Sequence, residues 1–573
     1  MARMRSGPRA AIVFALASAA ASLLGGCPRC AKVSPPATID SRPVRLDETG
    51  KLVAWPAPTV DSPYTVVVRL AWDALMHRVP TQSNGLPTYM GYSRFAGESF
   101  EGIAWPHNPA GLNAMLIDSA ALWFAFSGDR EVVTFVQRLA DYQLAHGTTP
   151  AGWLWPSVPF ASANAGDTEY GGADDEWCGF CGRGDGVGVI EPDKVGELGY
   201  GYAQLYEMTG DARYRDAAVA CADALAHHVR TGDAKSSPWP FRVNAQSGEV
   251  REEYSANAIA PVILFDELAR LGVGEPYRRA RETAWRWILA YPMHTSAWSA
   301  YFEDIPIYEN PDDNTNQYSP MQTAKFMLDH ASASANASDA AHDPYWKDHT
   351  LHLMKWVREN FADDANAERG VQFGADVLSE QRADMAKMGS HTARYAAVHA
   401  LYFEKTGEPW AKEKALRSFN WATYMCSPTG VVTVGEDKNE GWWFSDGYGD
   451  YVRHFLVGMA AVPEWAPARE NHLLRSSSVV RSIGYEPASV SYTTFHRAAI
   501  EVLRLRARPL AVTAGDAALA LRSDLEQDGY TVTPIGRPST DRKDERDKGE
   551  TSESVVVRVR HSSSGEVSIT LAR

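Results

Sequence analysis

Residues 192–229 read PDKVGELGYGYAQLYEMTGDARYRDAAVACADALAHHV. The first half, up to Thr209, carries Gly, Ala, Leu and aromatic residues almost all round a helical period, which predicts a helix that is buried on most sides. Gly210 suits the left-handed position that ends a helix, and Asp211 suits the positive start of the next helix. The stretch therefore predicts a pair of helices, a buried one followed by an outer one.

The same arrangement recurs along the chain, which indicates an internal repeat. The tight turns are Ser127-Gly128-Asp129, Thr209-Gly210-Asp211, Val273-Gly274-Glu275 and Thr406-Gly407-Glu408, and a looser turn leads into Asp343-Pro344-Tyr345-Trp346. The predicted buried helices are 111–127, 192–208, 255–271, 317–330 and 390–405. The predicted outer helices are 130–146, 212–229, 275–291, 344–361 and 409–425. Five helical hairpins with long loops are therefore expected.

A sixth hairpin is completed by the helix that follows Asp446 and a helix near residues 63–78. Twelve helices in alternating inner and outer rings predict a mainly α fold, an (α/α)6 toroid of six helical hairpins, over residues 61–466. This architecture resembles the six-hairpin glycosidase-like superfamily. The resemblance implies an enzyme that acts on carbohydrates.

The last hundred residues follow a different pattern. Leu503-Arg504-Leu505-Arg506 and Val557-Arg558-Val559-Arg560 alternate between apolar and charged residues, which is typical of strands with one buried face. Residues 467–573 therefore predict an antiparallel β-sandwich. We expect this sandwich to cap the toroid, and a separate sugar-binding module is the alternative.

The composition excludes several classes of protein. The chain has 573 residues, of which 45% are hydrophobic and 22% are charged, so it is not disordered, collagen-like or a polytopic membrane protein. The net charge of −15 disfavours nucleic-acid binding, which needs clustered cations. The 18 Trp and 24 Tyr residues favour a sugar-binding cleft, because flat aromatic rings line such clefts.

The N-terminal segment predicts an export signal. Arg3, Arg5 and Arg9 precede a short apolar stretch, and Leu24-Gly25-Gly26-Cys27 follows it. The Cys after Gly-Gly resembles a bacterial lipobox, so we expect residues 1–26 to be a lipoprotein signal peptide and Cys27 to be lipidated. An ordinary secretory signal is the alternative. Residues 27–60 predict a Pro-rich tether, and Pro28 after the Cys favours the outer membrane or cell surface.

The spacing of the remaining cysteines does not favour a metal-binding or redox function. Cys178 and Cys181 form a C-x-x-C pattern without further ligands at zinc spacing, so a loop disulfide is expected in an oxidising compartment. A metal or redox role is the alternative. Cys221 lies in a helical pattern and is expected to be buried, as is Cys426.

The inner helices of a toroid point the same way, so their N-termini and the preceding loops share one rim. Carboxylates and Trp residues gather in those loops, which makes the rim the predicted substrate site. The candidate catalytic residues are Asp313, Asp446, Glu303, Asp304 and His391. The candidate substrate-binding residues are Trp105, His107, Tyr254, Asn257, Asn316, Tyr318, Arg394, Trp442, Trp443 and Tyr448.

Paired carboxylates favour hydrolysis of a glycosidic bond, because one must protonate the leaving oxygen while another acts as base or nucleophile. Asp446 and Asp313 each precede a predicted inner helix, so a helix cap is the alternative role for both. Glu303-Asp304 follows two aromatic residues that would raise a carboxyl pKa, and a solvated loop is the alternative.

Two other functions remain open. His391, Arg394 and Tyr318 would suit β-elimination from a uronic-acid polymer, or an epimerase of the acylglucosamine epimerase type. A glycan-binding lipoprotein without activity would need aromatic and amide side chains but no carboxylate pair. No cofactor is expected; a calcium ion held by Asp174, Asp175, Glu176 and Asp185 is the alternative, although their spacing matches no calcium motif.

The lipid anchor is tested by changing its cysteine. In a bacterial host that processes lipoproteins, Cys27→Ser should abolish incorporation of labelled palmitate and release the protein from the membrane fraction. Cys30→Ser is the matched control and should keep both properties. Labelling that survives in Cys27→Ser, or is lost in Cys30→Ser, would contradict the anchor.

Overall fold

The computed structural model describes residues 38–40, 42–56, 61–174, 184–299, 314–331, 343–362, 371–382, 385–435, 442–535, 554–563 and 565–572. The main helices are α1 (Pro63–Asp73), α2 (Pro109–Ser127), α3 (Glu131–His146), α4 (Pro192–Thr209), α5 (Ala212–His228), α6 (Ile259–Arg270), α7 (Arg278–Ala290), α8 (Tyr318–Asp329), α9 (Trp346–Val357), α10 (Gly389–Thr406), α11 (Pro409–Thr423) and α12 (Asp446–Ala461). Shorter helical segments are Ala74–Arg78, Thr88–Met90, Gly97–Ser99, Glu275–Tyr277, Pro292–Thr295, Arg358–Ala362 and Pro463–Trp465.

Six of the helices close into an inner ring. Each helix packs against the next in the order α2, α4, α6, α8, α10, α12, and α12 returns to α2. Outside this ring, each of the outer helices packs mainly on one inner helix; they are α3, α5, α7, α9, α11 and α1. The predicted (α/α)6 toroid is therefore confirmed, including the sixth hairpin made from the two ends of the toroid sequence.

Local sequence explains where these helices begin and end. Pro occupies the first turn of α2 and α4, where its missing N–H costs nothing. Gly128, Gly210 and Gly407 end their helices in the left-handed conformation, as predicted. In the third hairpin the left-handed residue is Gly272 rather than Gly274, so the predicted turn was placed two residues late.

Helix α2 is long and apolar enough to cross a membrane by length and composition. Its side chains are nevertheless buried on nearly every side by its neighbours in the ring. This burial accounts for its hydropathy, because a helix that is apolar all round belongs in the core of a large protein as well as in a bilayer.

Short strands build the rim at the N-terminal ends of the inner helices. They are β3 (Arg94–Ala96), β4 (Glu101–Ile103), β5 (Val189–Ile190), β6 (Arg242–Asn244), β7 (Val250–Glu252), β8 (Val371–Gln372), β9 (Ala375–Asp376) and β10 (Trp442–Phe444), after β1 (Thr38–Ile39) and β2 (Arg42–Pro43). In one antiparallel sheet β3 lies between β10 and β4. This sheet joins the loop before α2 to the loop before α12.

The C-terminal region forms two antiparallel sheets, which confirms the predicted β-sandwich. The strands are β11 (His472–Ser476), β12 (Val480–Glu486), β13 (Ser489–Thr494), β14 (Ala499–Leu505), β15 (Pro509–Ala514), β16 (Ala517–Ala518), β17 (Gly529–Pro534), β18 (Val555–His561) and β19 (Val567–Leu571). Their order is β11-β14-β18-β17 in one sheet and β12-β13-β19-β15-β16 in the other. In β18, Val557 and Val559 are buried while Arg558 is half-exposed, as the alternation predicts.

The sandwich covers the C-terminal ends of the inner helices. His472 donates through Nδ1 to the carbonyl of Phe126 at 2.8 Å, and the Tyr485 hydroxyl donates to the carbonyl of Ala125. Arg481 donates to the carbonyl of Glu207 on α4. These bonds satisfy carbonyls that a helix end leaves without partners. The sandwich therefore lies on the side of the toroid opposite the rim formed by the N-terminal ends of the inner helices.

The predicted tether is wrong for residues 38–40 and 42–56. Ile39 and Leu52 are buried, and Arg42 donates to the carbonyl of Tyr424, just after α11. The Tyr424 hydroxyl donates to the carbonyl of Val53 at 2.9 Å. Apolar residues scattered among the prolines give this segment a surface to bury, which composition alone did not indicate.

Two cysteine predictions are confirmed, because Cys221 and Cys426 are free and buried. Cys27, Cys178 and Cys181 lie outside the described residues, so the lipid anchor and the disulfide stay predictions.

Candidate active site

An open cleft lies at the N-terminal ends of α2, α8, α10 and α12. The residues that line it are Asn108, Met115, Tyr318, Glu380, Met388, Ser390, His391, Arg394, Val432, Thr433, Val434, Phe444, Asp446, Gly447 and Asp450. Five of these, namely Asp446, His391, Arg394, Tyr318 and Glu380, offer ionisable groups besides the deeper Asp450. The structure thus brings together four of the predicted residues and adds two carboxylates to them.

Asp450 lies at the base of the cleft and is almost fully buried. Its carboxylate forms an ion pair with Arg394 and accepts hydrogen bonds from Arg453 at 2.7 Å and His454 at 2.9 Å. Burial alone would raise the pKa of Asp450, but the charges of Arg394 and Arg453 and the hydrogen bond from His454 hold it well below its usual value. Asp450 is therefore a fixed negative charge rather than a group that exchanges protons.

A hydrogen-bonded chain leads from Asp450 to the cleft. Arg394 donates from Nη1 to His391 Nδ1 at 2.9 Å, so Nδ1 carries no hydrogen. The hydrogen of the neutral ring is therefore on Nε2, which lies 2.9 Å from Glu380 Oε1 and donates to it. Burial, with the charge of Arg394, lowers the pKa of His391 to about 3. His391 thus remains neutral and orients Glu380.

Asp446 is the second carboxylate of the cleft. It is the first residue of α12, while Ser445 holds the N-cap position that the sequence had suggested for Asp446. Its Oδ2 accepts from Asn108 Nδ2 at 3.3 Å, and its Oδ1 accepts from the Gly447 N–H at 2.9 Å. A helix N-terminus and two N–H donors favour the charged form of a carboxylate.

Tyr318 separates the cleft from a second polar cluster. Its ring lies 4.1 Å below the Arg394 guanidinium, and its hydroxyl donates to Glu197 Oε1 at 2.9 Å. Burial, with the nearby charge of Glu197, raises the pKa of Tyr318 to about 12. The Tyr318 hydroxyl is therefore a hydrogen-bond donor rather than a base.

The second cluster lies where α4 and α6 begin. Asn257 Nδ2 donates to Glu197 at 3.1 Å and to Asp193 at 3.4 Å, and Lys194 Nζ lies 3.5 Å from Glu197. Burial raises the pKa of Asp193 to about 7; Lys194 opposes this rise and the charge of Glu197 adds to it. Asp193 is thus a carboxyl group that holds a proton near neutral pH.

The structure contradicts four predicted substrate contacts, because each side chain is buried in the wall of the rim. His107 bonds Ser93 through Nδ1 at 3.2 Å, and burial lowers its pKa to about 3. Tyr254 donates its hydroxyl to the carbonyl of Ala297. Trp443 stacks on Phe95 with ring centres 4.2 Å apart, and Tyr448 accepts from the N–H of Val432. Aromatic residues in a rim loop were mistaken for ligand contacts because their burial is not visible in sequence.

Four further predicted residues lie away from the cleft lining. Asn316 is buried and caps the start of α8, where its Oδ1 accepts from the Ser319 N–H at 3.0 Å. Asn257 belongs to the cluster around Glu197. Trp105 and Trp442 are half-buried at the rim beside Phe444, which lines the cleft.

Asp313, Glu303 and Asp304 lie outside the described residues, as do Asp175 and Glu176 of the alternative calcium site. Among the described residues, Glu207, Glu267 and His496 are close enough together to hold a metal ion. Arg270 already pairs with both carboxylates there, and the group lies against the sandwich rather than in the cleft. The expectation of no cofactor, with calcium as its alternative, therefore stays a prediction.

The sequence analysis did not select Glu380, Asp193 or Glu197 as site residues. Glu380 lies between two uncharged polar residues, Ser379 and Gln381. It reaches His391 only because of the path that the chain takes before α10. Asp193 and Glu197 are spaced by four residues on one helix, which places them on one face. That spacing could have identified Asp193 and Glu197 as a pair from the sequence. No sequence pattern identified Glu380.

The closed ring of hairpins defines this chain as an (α/α)6 toroid protein of the six-hairpin type. No protein-family model matches the sequence, and no curated protein matches it.

Several solved structures are similar to this chain at low identity. A family 76 glycoside hydrolase from a bovine Bacteroides thetaiotaomicron strain is 14% identical, with a TM-score of 0.44, over 70% of this chain and 78% of that chain. The cellobiose 2-epimerase from Spirochaeta thermophila DSM 6192 is 12% identical, with a TM-score of 0.46, over 71% of this chain and 99% of that chain. A D-mannose isomerase is 10% identical, with a TM-score of 0.47, over 71% of this chain and 99% of that chain. At these identities the likeness concerns the fold alone.

Asp193 makes stability depend on pH. Its raised pKa means that the folded protein keeps this proton up to about pH 7, whereas the unfolded chain loses it near pH 4, so the group's contribution to stability declines as pH rises between those values. Asp193→Asn should therefore gain about 1 to 3 kcal/mol of unfolding free energy over the wild type between pH 5 and pH 8. Urea unfolding followed by circular dichroism measures this difference.

The exposed Asp216→Asn on α5 is the matched control and should show no such gain. A difference between Asp193→Asn and the wild type that stays constant with pH, or shrinks as pH rises, would contradict the assignment.

Proposed function

We propose that this protein is a carbohydrate-active enzyme, and that it is a glycoside hydrolase using Glu380 and Asp446 as its acid and base. The observation that carries the proposal is that these two carboxylates line the same cleft with different neighbours. Asp446 accepts from two N–H groups at the start of a helix, and Glu380 lies against the neutral ring of His391. Glycosidic bond cleavage needs two carboxyl groups in different protonation states on either side of the bond.

We assign Asp446 as the base or nucleophile. The start of α12 and the N–H groups of Asn108 and Gly447 favour its charged form. Glu380 is then the acid that protonates the leaving oxygen. Its proton acceptor in the substrate must lie within hydrogen-bond reach, which requires the carboxyl group to be held in one orientation.

His391 and Arg394 supply that orientation. Arg394 is fixed by Asp450, and it in turn fixes the ring of His391, whose Nε2–H donates to Glu380. We therefore assign His391 and Arg394 as positioning residues. The earlier prediction of His391 as a catalytic residue becomes an indirect role, because both of its ring nitrogens are already engaged.

The same contacts argue against elimination or epimerisation. A lyase needs a cation that neutralises the carboxylate of its substrate, but Arg394 is buried and pairs with Asp450. An epimerase of the type considered needs a His that accepts a proton, but Nδ1 of His391 already accepts from Arg394. The Tyr318 hydroxyl donates to Glu197 and its pKa is raised.

We also propose that the enzyme is held at the cell envelope by the lipid on Cys27 and acts on an oligo- or polysaccharide there. The support is the sequence of the signal segment. The described toroid and sandwich would then be presented on the outer side of a membrane.

The hydrolase is tested by digesting a panel of glycans with the purified protein and measuring new reducing ends. Glu380→Gln and Asp446→Asn should each lower the rate by about 100- to 10,000-fold, because each removes a proton-transfer or nucleophilic group. Sugar binding should change little, since both amides are isosteric with the acids. Asp313→Asn, in the same assay, decides whether the predicted Asp313 takes part.

Glu131→Gln is the matched control, because this exposed acid lies at the start of the outer helix α3. It should leave the rate unchanged. Full turnover in Glu380→Gln or Asp446→Asn would overturn the residue assignment. Retention of a glycan without any product from the wild type would favour the binding protein instead.

A further inference from the structure

A layered aromatic wall rises from the cleft to the rim. In β10 the side chains alternate, so Trp443 faces inward onto Phe95 while Trp442 and Phe444 share the other face. Phe444 lines the cleft together with Met388 and Val434, and Trp442 packs against the same apolar group. The wall therefore continues directly from the residues around Asp446.

Arg94 holds the outer part of this wall together. Its guanidinium carbon lies 3.7 Å from the ring centre of Trp442 and 4.7 Å from that of Trp105. The rings of Phe444 and Trp105 meet edge to face, with ring centres 5.8 Å apart at 75°. A cation shared by two indoles restrains both rings, since each cation–π contact is favourable when desolvated, and Arg94 is almost fully buried.

Trp105 and Trp442 nevertheless keep part of their surface in solvent, unlike Trp443. Partly exposed indoles fixed in one orientation lose little conformational entropy when a flat apolar face packs on them. Pyranose rings present such a face through their C–H groups. The wall is thus pre-organised for a ring rather than for an extended hydrocarbon chain.

The charges near the cleft select among glycans. Arg394 pairs with Asp450, and Arg453 pairs with Asp450 and Asp118. Arg94 lies between two indole rings. The groups that face the cleft with negative charge, above all Asp446, would repel the carboxylate of a uronic acid.

We propose that Trp442, Trp105 and Phe444, held by Arg94, form a subsite that binds the C–H face of a pyranose ring in a neutral oligosaccharide, next to the carboxylates of the cleft. This inference rests on the proposed hydrolase, because continuity with that cleft is what places a glycan on the wall. The enzyme then requires a substrate of at least two sugar rings, one at the carboxylates and one on the wall.

The subsite is tested with Trp442→Ala, using neutral and uronic-acid oligosaccharides of two to six rings. For the neutral oligosaccharide that the wild type cleaves fastest, KM should rise about tenfold, as expected for loss of one packed aromatic contact. The kcat should change less than threefold, because a contact remote from the reacting atoms binds ground state and transition state alike. Trp442→Phe should restore most of the affinity.

Trp410→Ala is the matched control, because this partly exposed Trp lies on the outer helix α11. It should leave KM unchanged. Trp442→Ala is first compared with the wild type by circular dichroism. If Trp442→Ala does not fold, two other variants are compared: Glu380→Gln alone, and Glu380→Gln combined with Trp442→Phe. The same oligosaccharides should quench the tryptophan fluorescence of the double variant less, because the indole on which the sugar packs is absent from it.

Failure of the subsite and failure of the hydrolase are distinguishable. Cleavage of a neutral oligosaccharide with an unchanged KM in Trp442→Ala would overturn the subsite and leave the hydrolase intact. Faster cleavage of uronic-acid oligosaccharides than of neutral ones would overturn the substrate class. If the wild type cleaves none of them, the hydrolase fails, and equal binding of the panel by wild type and Trp442→Ala would overturn the subsite as well.

Discussion

The burial of Asp450 is the constraint on which the cleft depends. A carboxylate removed from water is costly unless charged partners and hydrogen bonds surround it, and Asp450 obtains them from Arg394 on α10 and from Arg453 and His454 on its own helix. Arg453 also reaches Asp118 on α2. Three inner helices are thereby tied at the level of the cleft floor. The same contacts fix Arg394, and through it His391 and Glu380, so the packing of the cleft floor and the orientation of the proposed acid have one origin.

The fold was largely predictable because it depends on local signals. Gly128, Gly210 and Gly407 mark helix ends by a backbone conformation that side chains disfavour, and the apolar and charged faces distinguish inner from outer helices. The alternation of apolar and charged residues in β18 likewise predicted a strand with one buried face, and so the sandwich. Residues 38–40 and 42–56 were misjudged, because the prolines resemble a tether while the partner of that segment, Tyr424, is nearly four hundred residues away. Local pattern does not reveal such a contact.

The residues that line the cleft were predicted only in part, and the errors share a cause. Asp446, His391, Arg394 and Tyr318 were found because each lies near the start of an inner helix, where the toroid directs its residues to one rim. Trp443 and Tyr448 satisfy the same rule but point into the wall. Trp443 does so because adjacent residues of β10 face opposite sides, and Tyr448, on α12, is buried with its hydroxyl bonded to the N–H of Val432. Glu380 was missed because its link to the other cleft residues is a contact with His391, eleven residues further along the chain, which no local pattern predicts. The position of a residue in the sequence predicts whether it lies at the rim. The direction of its side chain and its hydrogen-bond partners are seen only in the structure.

The central claim is that this protein cleaves a glycosidic bond by adding water. The most direct measurement is digestion of a panel of glycans in water enriched in heavy oxygen, with prompt mass spectrometry of the products. The account predicts one heavy oxygen at each newly formed reducing end, and no ultraviolet-absorbing ends. Unsaturated ends that carry no heavy oxygen would contradict it and establish elimination, and an epimerised glycan of unchanged mass would contradict it equally.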